Sequence, residues 1–142
     1  MTSGAEAIAQ AVHARLSALS TVPAARVYRD LVGALTAGKL PAIVVETGNE
    51  EAPEPQAMGA KKMRSVDIRV TVLAAGENAF GAADPVVVES FGALIADPKL
   101  GGLAFDLTEG PTVRERETAE SNIAGVTKLY RYRYRTAGNS LS

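Results

Sequence analysis

Ser65-Val66-Asp67-Ile68-Arg69-Val70-Thr71-Val72 decides the fold class. Val66, Ile68, Val70 and Val72 fall on one side of an extended chain, and Asp67, Arg69 and Thr71 on the other. Strict alternation of this kind belongs to an antiparallel strand with one face buried and one face wet. Something apolar must cover the valine side, and the segments around the strand supply it. On the N-terminal side, Ile8, Val12, Leu16 and Leu19 recur at helical spacing over residues 4–19. Ser3 precedes them with Glu6 three residues on, the spacing of a capping box. On the C-terminal side, Asp84-Pro85 reads as an N-cap followed by a first-turn proline. Val87, Val88, Phe91, Leu94 and Ile95 form the expected buried stripe of that second helix.

Further strands complete the pattern. Arg26-Val27-Tyr28 reads as a short one, and Leu40 to Thr47 is rich in β-branched residues. Thr112 to Thr118 is extended by content, and residues 119–122 form a turn. Ile123 to Thr136 then alternates, with Val126, Lys128, Tyr130, Tyr132 and Tyr134 opposite Thr127, Leu129, Arg131, Arg133 and Arg135. Lys99-Leu100-Gly101-Gly102-Leu103 is a tight connection whose glycines allow positive φ. The expected architecture is α+β: one domain over residues 1–142, a mainly antiparallel sheet, and two helices packed on one face. Residues 48–64, with Glu50, Glu51, Pro53, Glu54 and Pro55 followed by Lys61, Lys62 and Arg64, read as a flexible charged loop. Residues 137–142 should fray.

Composition narrows the chemistry. The 142 residues carry a formal net charge of −1, unlike the strongly basic domains that bind nucleic acid. Cysteine is absent, which excludes disulfides, thiolate metal sites and cysteine nucleophiles. Hydrophobic residues make up 46%, but many are alanine, and aromatics make up only 5%. The core is therefore thin, and partner subunits are expected to finish burying the surface. The first residues lack a basic start followed by an apolar run, so no secretory signal is expected. Apolar runs such as Ala42 to Val45 are far shorter than the roughly 20 residues a membrane helix needs.

No catalytic signature survives inspection. Gly33-Ala34-Leu35-Thr36-Ala37-Gly38-Lys39 has phosphate-loop spacing, but Leu40 stands where a hydroxyl should reach magnesium. A strand follows the motif where a helix is required. His13 is the sole histidine and lies on the polar side of the first helix, as a solvated residue would. Glu50, Glu51 and Glu54 lack the spacing of a calcium loop and are interrupted by prolines. No catalytic residue, metal or cofactor is assigned. Arg131, Arg133 and Arg135 share one strand face and admit three readings. They pair with carboxylates such as Glu115 or Glu117 on a neighbouring strand. Alternatively they meet another subunit, or they contact phosphate. Tyr130, Tyr132 and Tyr134 point away from them, which disfavours base stacking.

The order of segments resembles the tail terminator proteins of long-tailed phages, the minor tail protein U type. The resemblance rests on the N-terminal helix, Arg26-Val27-Tyr28, Leu40-Pro-Ala-Ile-Val-Val-Glu-Thr-Gly48, Val66-Asp-Ile-Arg-Val-Thr-Val72, the helix from Asp84, Leu100-Gly-Gly-Leu103, and Leu129-Tyr-Arg-Tyr-Arg-Tyr-Arg-Thr136. It implies a non-enzymatic subunit of a hexameric ring that caps the tail tube. Such a subunit assembles in the host cytoplasm and resides in the virion tail. Its partners are sister copies, as a homo-hexamer in the assembled tail from a subunit that can stay monomeric in solution until the tube templates it, the major tail tube protein and a head completion protein; DNA only passes through, and no membrane is involved. Another head–tail joining or tail completion role, or a small binding module using the arginine face, are the alternatives. No site residue transfers from the family. Glu50, Glu51, Glu54, Lys61, Lys62, Arg64, Arg131, Arg133 and Arg135 are the candidate subunit contacts, with the acidic loop and the basic strand as a complementary pair for ring closure.

Overall fold

The structure, a computed structural model, describes residues 2–30, 35, 37–51, 62–116, 122–137 and 141. Helix α1 (Gly4–Leu16) leads into strand β1 (Val27–Arg29), then β2 (Ala42–Glu51) and β3 (Lys62–Ala75). Helix α2 (Ala79–Ala96), β4 (Asp106–Arg116) and β5 (Ile123–Thr136) follow. Short 3-10 turns stand at Ala24–Arg26, Ala37–Lys39 and Leu100–Gly102. The five strands form one sheet in the order β1-β2-β3-β5-β4. Only β1 runs parallel to its neighbour; the other three pairings are antiparallel. This is the α+β class that the alternation of residues 65–72 requires.

The core lies between the helices and one face of the sheet. Val66, Ile68, Val70 and Val72 of β3 and Tyr130, Tyr132 and Tyr134 of β5 are buried there with Ile8, Val12 and Leu16 of α1. Ser3 caps α1 by accepting the amide of Glu6 at 3.1 Å. The reciprocal half of the capping box is replaced, because the Glu6 carboxylate receives two bonds from Arg29, at 2.9 and 3.1 Å.

Several expectations are corrected. Helix α2 begins after Asn78, whose side chain accepts the Gly81 amide, so Pro85 lies inside the helix and Asp84 caps nothing. An interior proline removes one intrahelical bond, and tertiary packing overrides that local cost. Of the expected stripe, Leu94 is buried and Val87 and Phe91 pack partly buried against the core, while Val88 and Ile95 are 61% and 41% exposed; Ala79, Ala83, Val86 and Ser90 supply the rest of the buried side. Small residues at 79, 83 and 90 let α2 lie close on the sheet. By length and composition α2 is also apolar enough to cross a membrane, with 28% of it buried; its Ala79, Ala83, Val86, Ser90 and Leu94 side packs on the sheet. The stretch expected to be a loop from 48 to 64 contributes strand at both ends, up to Glu51 and from Lys62. Strand β4 starts at Asp106, six residues before Thr112. Of residues 137–142, where fraying is expected, only Ala137 and Leu141 are described, and the Leu141 carbonyl accepts the Gly4 amide at 2.7 Å.

Candidate subunit interface

One face of the sheet is left open by the helices, and the alternation of β5 fixes what it displays. Each odd-numbered residue from Thr127 to Arg135 points away from the buried tyrosines. The register of β3 and β5 sets Asp67 opposite Arg131. The guanidinium of Arg131 donates to the Asp67 carboxylate at 2.8 and 3.3 Å and reaches Glu51 at 3.0 Å. The register of β4 and β5 sets Asp106 opposite Arg133, and the two are joined by charge-assisted hydrogen bonds. Hydrogen bonding from Arg133 holds the Asp106 carboxyl below the usual carboxylate range. Arg69 pairs with Glu46 at 3.8 Å. The carboxylates that meet the arginines are thus Asp67, Glu51 and Asp106. Glu115 lies too far along β4, opposite Gly125, and Glu117 is outside the described residues.

Arg135 is held differently. Its guanidinium carbon sits 4.7 Å from the centroid of the Phe105 ring, with that of Arg133 at 5.4 Å from the same ring. Cation–π contacts of this kind stabilise an exposed arginine modestly. Phe105 was not singled out in the sequence, since it stands alone between the glycine turn and β4; only the register places it beside the arginines. The buried tyrosines behave as the alternation requires. Burial raises the hydroxyl pKa of Tyr130, Tyr132 and Tyr134.

The remaining candidates separate. Glu50 and Glu51, adjacent on β2, point to opposite faces: Glu50 accepts the Tyr134 hydroxyl at 2.8 Å, and Glu51 meets Arg131. Both partners lie in the same chain. Arg64 donates to the Thr136 hydroxyl at 2.8 Å, and Lys62 opens β3 opposite Thr136. Glu54 and Lys61 lie outside the described residues. His13 is half-buried, and its Nε2 donates to the Val27 carbonyl at 2.9 Å, so it fastens α1 to β1 where a freely solvated residue was expected. Of the phosphate-loop look-alike, Gly38 and Lys39 form a 3-10 turn that runs into β2, and the Gly38 carbonyl accepts Arg26. Gly33, Ala34 and Thr36 lie outside the described residues.

Among the described residues no three His, Asp or Glu side chains converge as metal ligands would. An open groove of about 590 Å³ between α1 and α2 is lined by Ala11, Ala14, Ala18 and Ala93 with Leu19 and Leu100, and Arg15 and Asp97 stand 3.6 Å apart in its lining. A smaller hollow of about 210 Å³ on the open face is bounded by Asp67, Arg131 and the Gly110-Pro111 bulge. Ion pairs that already cancel, on an open sheet face, suit contact with another protein surface better than capture of a free anion.

No protein-family model and no curated protein matches the chain. Among solved structures, a chain from the virion of a native gene transfer agent particle matches with a TM-score of 0.65 and 18% identity. The match covers 91% of this chain and 95% of that one. At such identity the likeness is one of fold.

Proposed function

We propose that this chain is a structural subunit of a phage-like particle, and specifically a tail terminator: a ring-forming protein that caps the tail tube and docks to the head. The observation that carries the reading is the end-to-end likeness of its fold to a virion chain of a gene transfer agent particle. It agrees with the family resemblance of the ordered segments Leu40–Gly48, Val66–Val72 and Leu129–Thr136. The open face supports assembly as well. Arg131 and Arg133 are matched by carboxylates of the same subunit, so the middle of the face can approach a sister copy without a large charge penalty. A phosphate-binding face would hold its guanidiniums free. The subunit acts by shape and contact, with sister copies, the tail tube and a head completion protein as its partners, and with DNA only passing through.

Deletion of the gene in its prophage tests the role. The expected result is tails of uncontrolled length that fail to join heads. Tails of normal length and normal joining would reject the terminator role. Joining defects with normal tail length would favour a different head–tail connector. A strongly salt-dependent affinity of the purified chain for DNA would instead favour a binding module using Arg131, Arg133 and Arg135.

A further inference from the structure

Among the described residues, the open face of the sheet carries opposite charges without charge partners at its two ends, Arg135 and Glu115. At one end stands Arg135, exposed, stacked on the 43% exposed Phe105 and, among the described residues, without a carboxylate partner. At the other end Glu115 of β4 edges a notch of about 180 Å³, with Thr71, Leu73, Ile123, Gly125 and Thr127 as the rest of its lining. Glu115 is exposed and has no cationic partner among the described residues. Gly125 keeps the notch open, since a Cβ there would stand 3.3 Å from a Leu73 methyl. Between the two ends each arginine has a carboxylate partner: Arg131 meets both Asp67 and Glu51, Arg133 meets Asp106, and Arg69 meets Glu46.

Glu115 is opposite Gly125, ten residues along β5 from Arg135. At about 3.3 Å per residue the two charges lie roughly 33 Å apart. That is several times the screening length of about 8 Å at physiological salt, so they cannot satisfy each other within one chain. We propose that they do so between chains: Arg135 and Phe105 of one copy seat in the Glu115 notch of the next. The proposal rests on the assembly reading above and names the surface that serves it. Arginine backed by an aromatic ring is the side-chain type that interfaces favour. The two patches differ, as a head-to-tail contact repeated by rotation requires. Strand twist also turns the two ends of a long sheet in different directions, which suits a rotation larger than a flat face would allow. Of the acidic residues first matched with the arginine face, Glu50 and Glu51 already have partners in their own subunit, and Glu54 lies outside the described residues; Glu115 is the described carboxylate that supplies the complementary charge.

The absence of native cysteine makes the test direct. Under oxidation at high protein concentration, the double variant Glu115→Cys with Arg135→Cys should form a ladder of cross-linked multimers, and each single variant should stay monomeric. A ladder that stops at the dimer, or no cross-linking at all, overturns the head-to-tail contact. In particle complementation, Arg135→Glu and Glu115→Arg should each lower the yield of joined particles by about tenfold or more, the effect of losing about 1.4 kcal/mol per contact. The two reversals combined should restore most of that yield. All variants should keep the parental unfolding midpoint, because both side chains are exposed. Single reversals that assemble like the parent overturn this contact while leaving the assembly role intact. If deletion of the whole gene changes nothing, the assembly role itself fails.

Discussion

Asp67 and Arg131 face each other across the central strand pair, with Arg131 Nε donating to Asp67 Oδ1 at 2.8 Å. The pair is asymmetric in exposure: the Asp67 side chain is 14% exposed and that of Arg131 43%. Removing the arginine would strand a mostly buried carboxylate. Leaving a buried charged group unpaired costs more than the pair gains.

Arg131→Ala should therefore destabilise the fold by about 1–3 kcal/mol. Arg135→Ala, which strands no carboxylate, should stay within about 0.5 kcal/mol of the parent. Urea unfolding of the two variants checks this. Equal midpoints would mean that Asp67 is solvated well enough not to need its partner.

Two tyrosines on the same face of β5 should respond with opposite sign. The Tyr132 hydroxyl is buried and, among the described residues, finds no hydrogen-bond partner. Tyr132→Phe should be neutral or stabilising by about 1 kcal/mol, because an unpaired buried hydroxyl costs free energy. Tyr134 donates to Glu50 at 2.8 Å, and Tyr134→Phe should cost about 1 kcal/mol. Thermal melts that move both variants in one direction would contradict the assignment.

Two glycines should likewise part ways when replaced by alanine. At Gly110, in the β4 bulge, a Cβ would come within 2.6 Å of the Leu129 Cβ and 3.1 Å of its carbonyl oxygen. Gly110→Ala should cost about 1–3 kcal/mol through overpacking. Gly92 lies inside α2 with nothing within 4 Å of its virtual Cβ. Gly92→Ala should stabilise by roughly 0.5–1 kcal/mol from helix propensity. Chemical denaturation ranks the two; a stabilised Gly110→Ala would show that the bulge relaxes freely.

Acid should weaken the protein through Glu6 and Asp106. Hydrogen bonding from Arg29 lowers the pKa of Glu6, and hydrogen bonding from Arg133 lowers that of Asp106. A carboxyl whose pKa is depressed by folding adds stability above its unfolded value, about 4.3 for Glu and 3.9 for Asp. That stability disappears as pH falls through the folded value. Glu6→Gln with Asp106→Asn should be less stable than the parent at pH 7 and should lose less on going from pH 5 to pH 3. Parallel stability profiles for parent and double variant over that range would refute the linkage.

Much of this was legible in residue order. Alternation in 66–72 and 126–136 assigned each strand residue to its face, because a pleated strand has a fixed period of two. Helical spacing placed Ile8, Val12 and Leu16 in the core for the same kind of reason. The start of α2 was misread because Asp84-Pro85 is a strong local signal, and the close packing of Ala79 and Ala83 against the sheet outweighs it. His13 was misread because its partner, the Val27 carbonyl, is a backbone atom of a neighbouring strand that no side-chain pattern announces.

The amino-acid sequence alone determined the periodicities, and with them the class of fold, the arginine row and the tyrosine row. Pairing was decided only by the tertiary structure. Which carboxylate meets which arginine depends on strand order and register, and these follow from the joint packing of both helices on all the strands. Asp67, Asp106 and Phe105 lie 64, 27 and 28 positions from the nearest arginine they touch. Local chain geometry carries no information over such separations; only the assembled sheet brings them together.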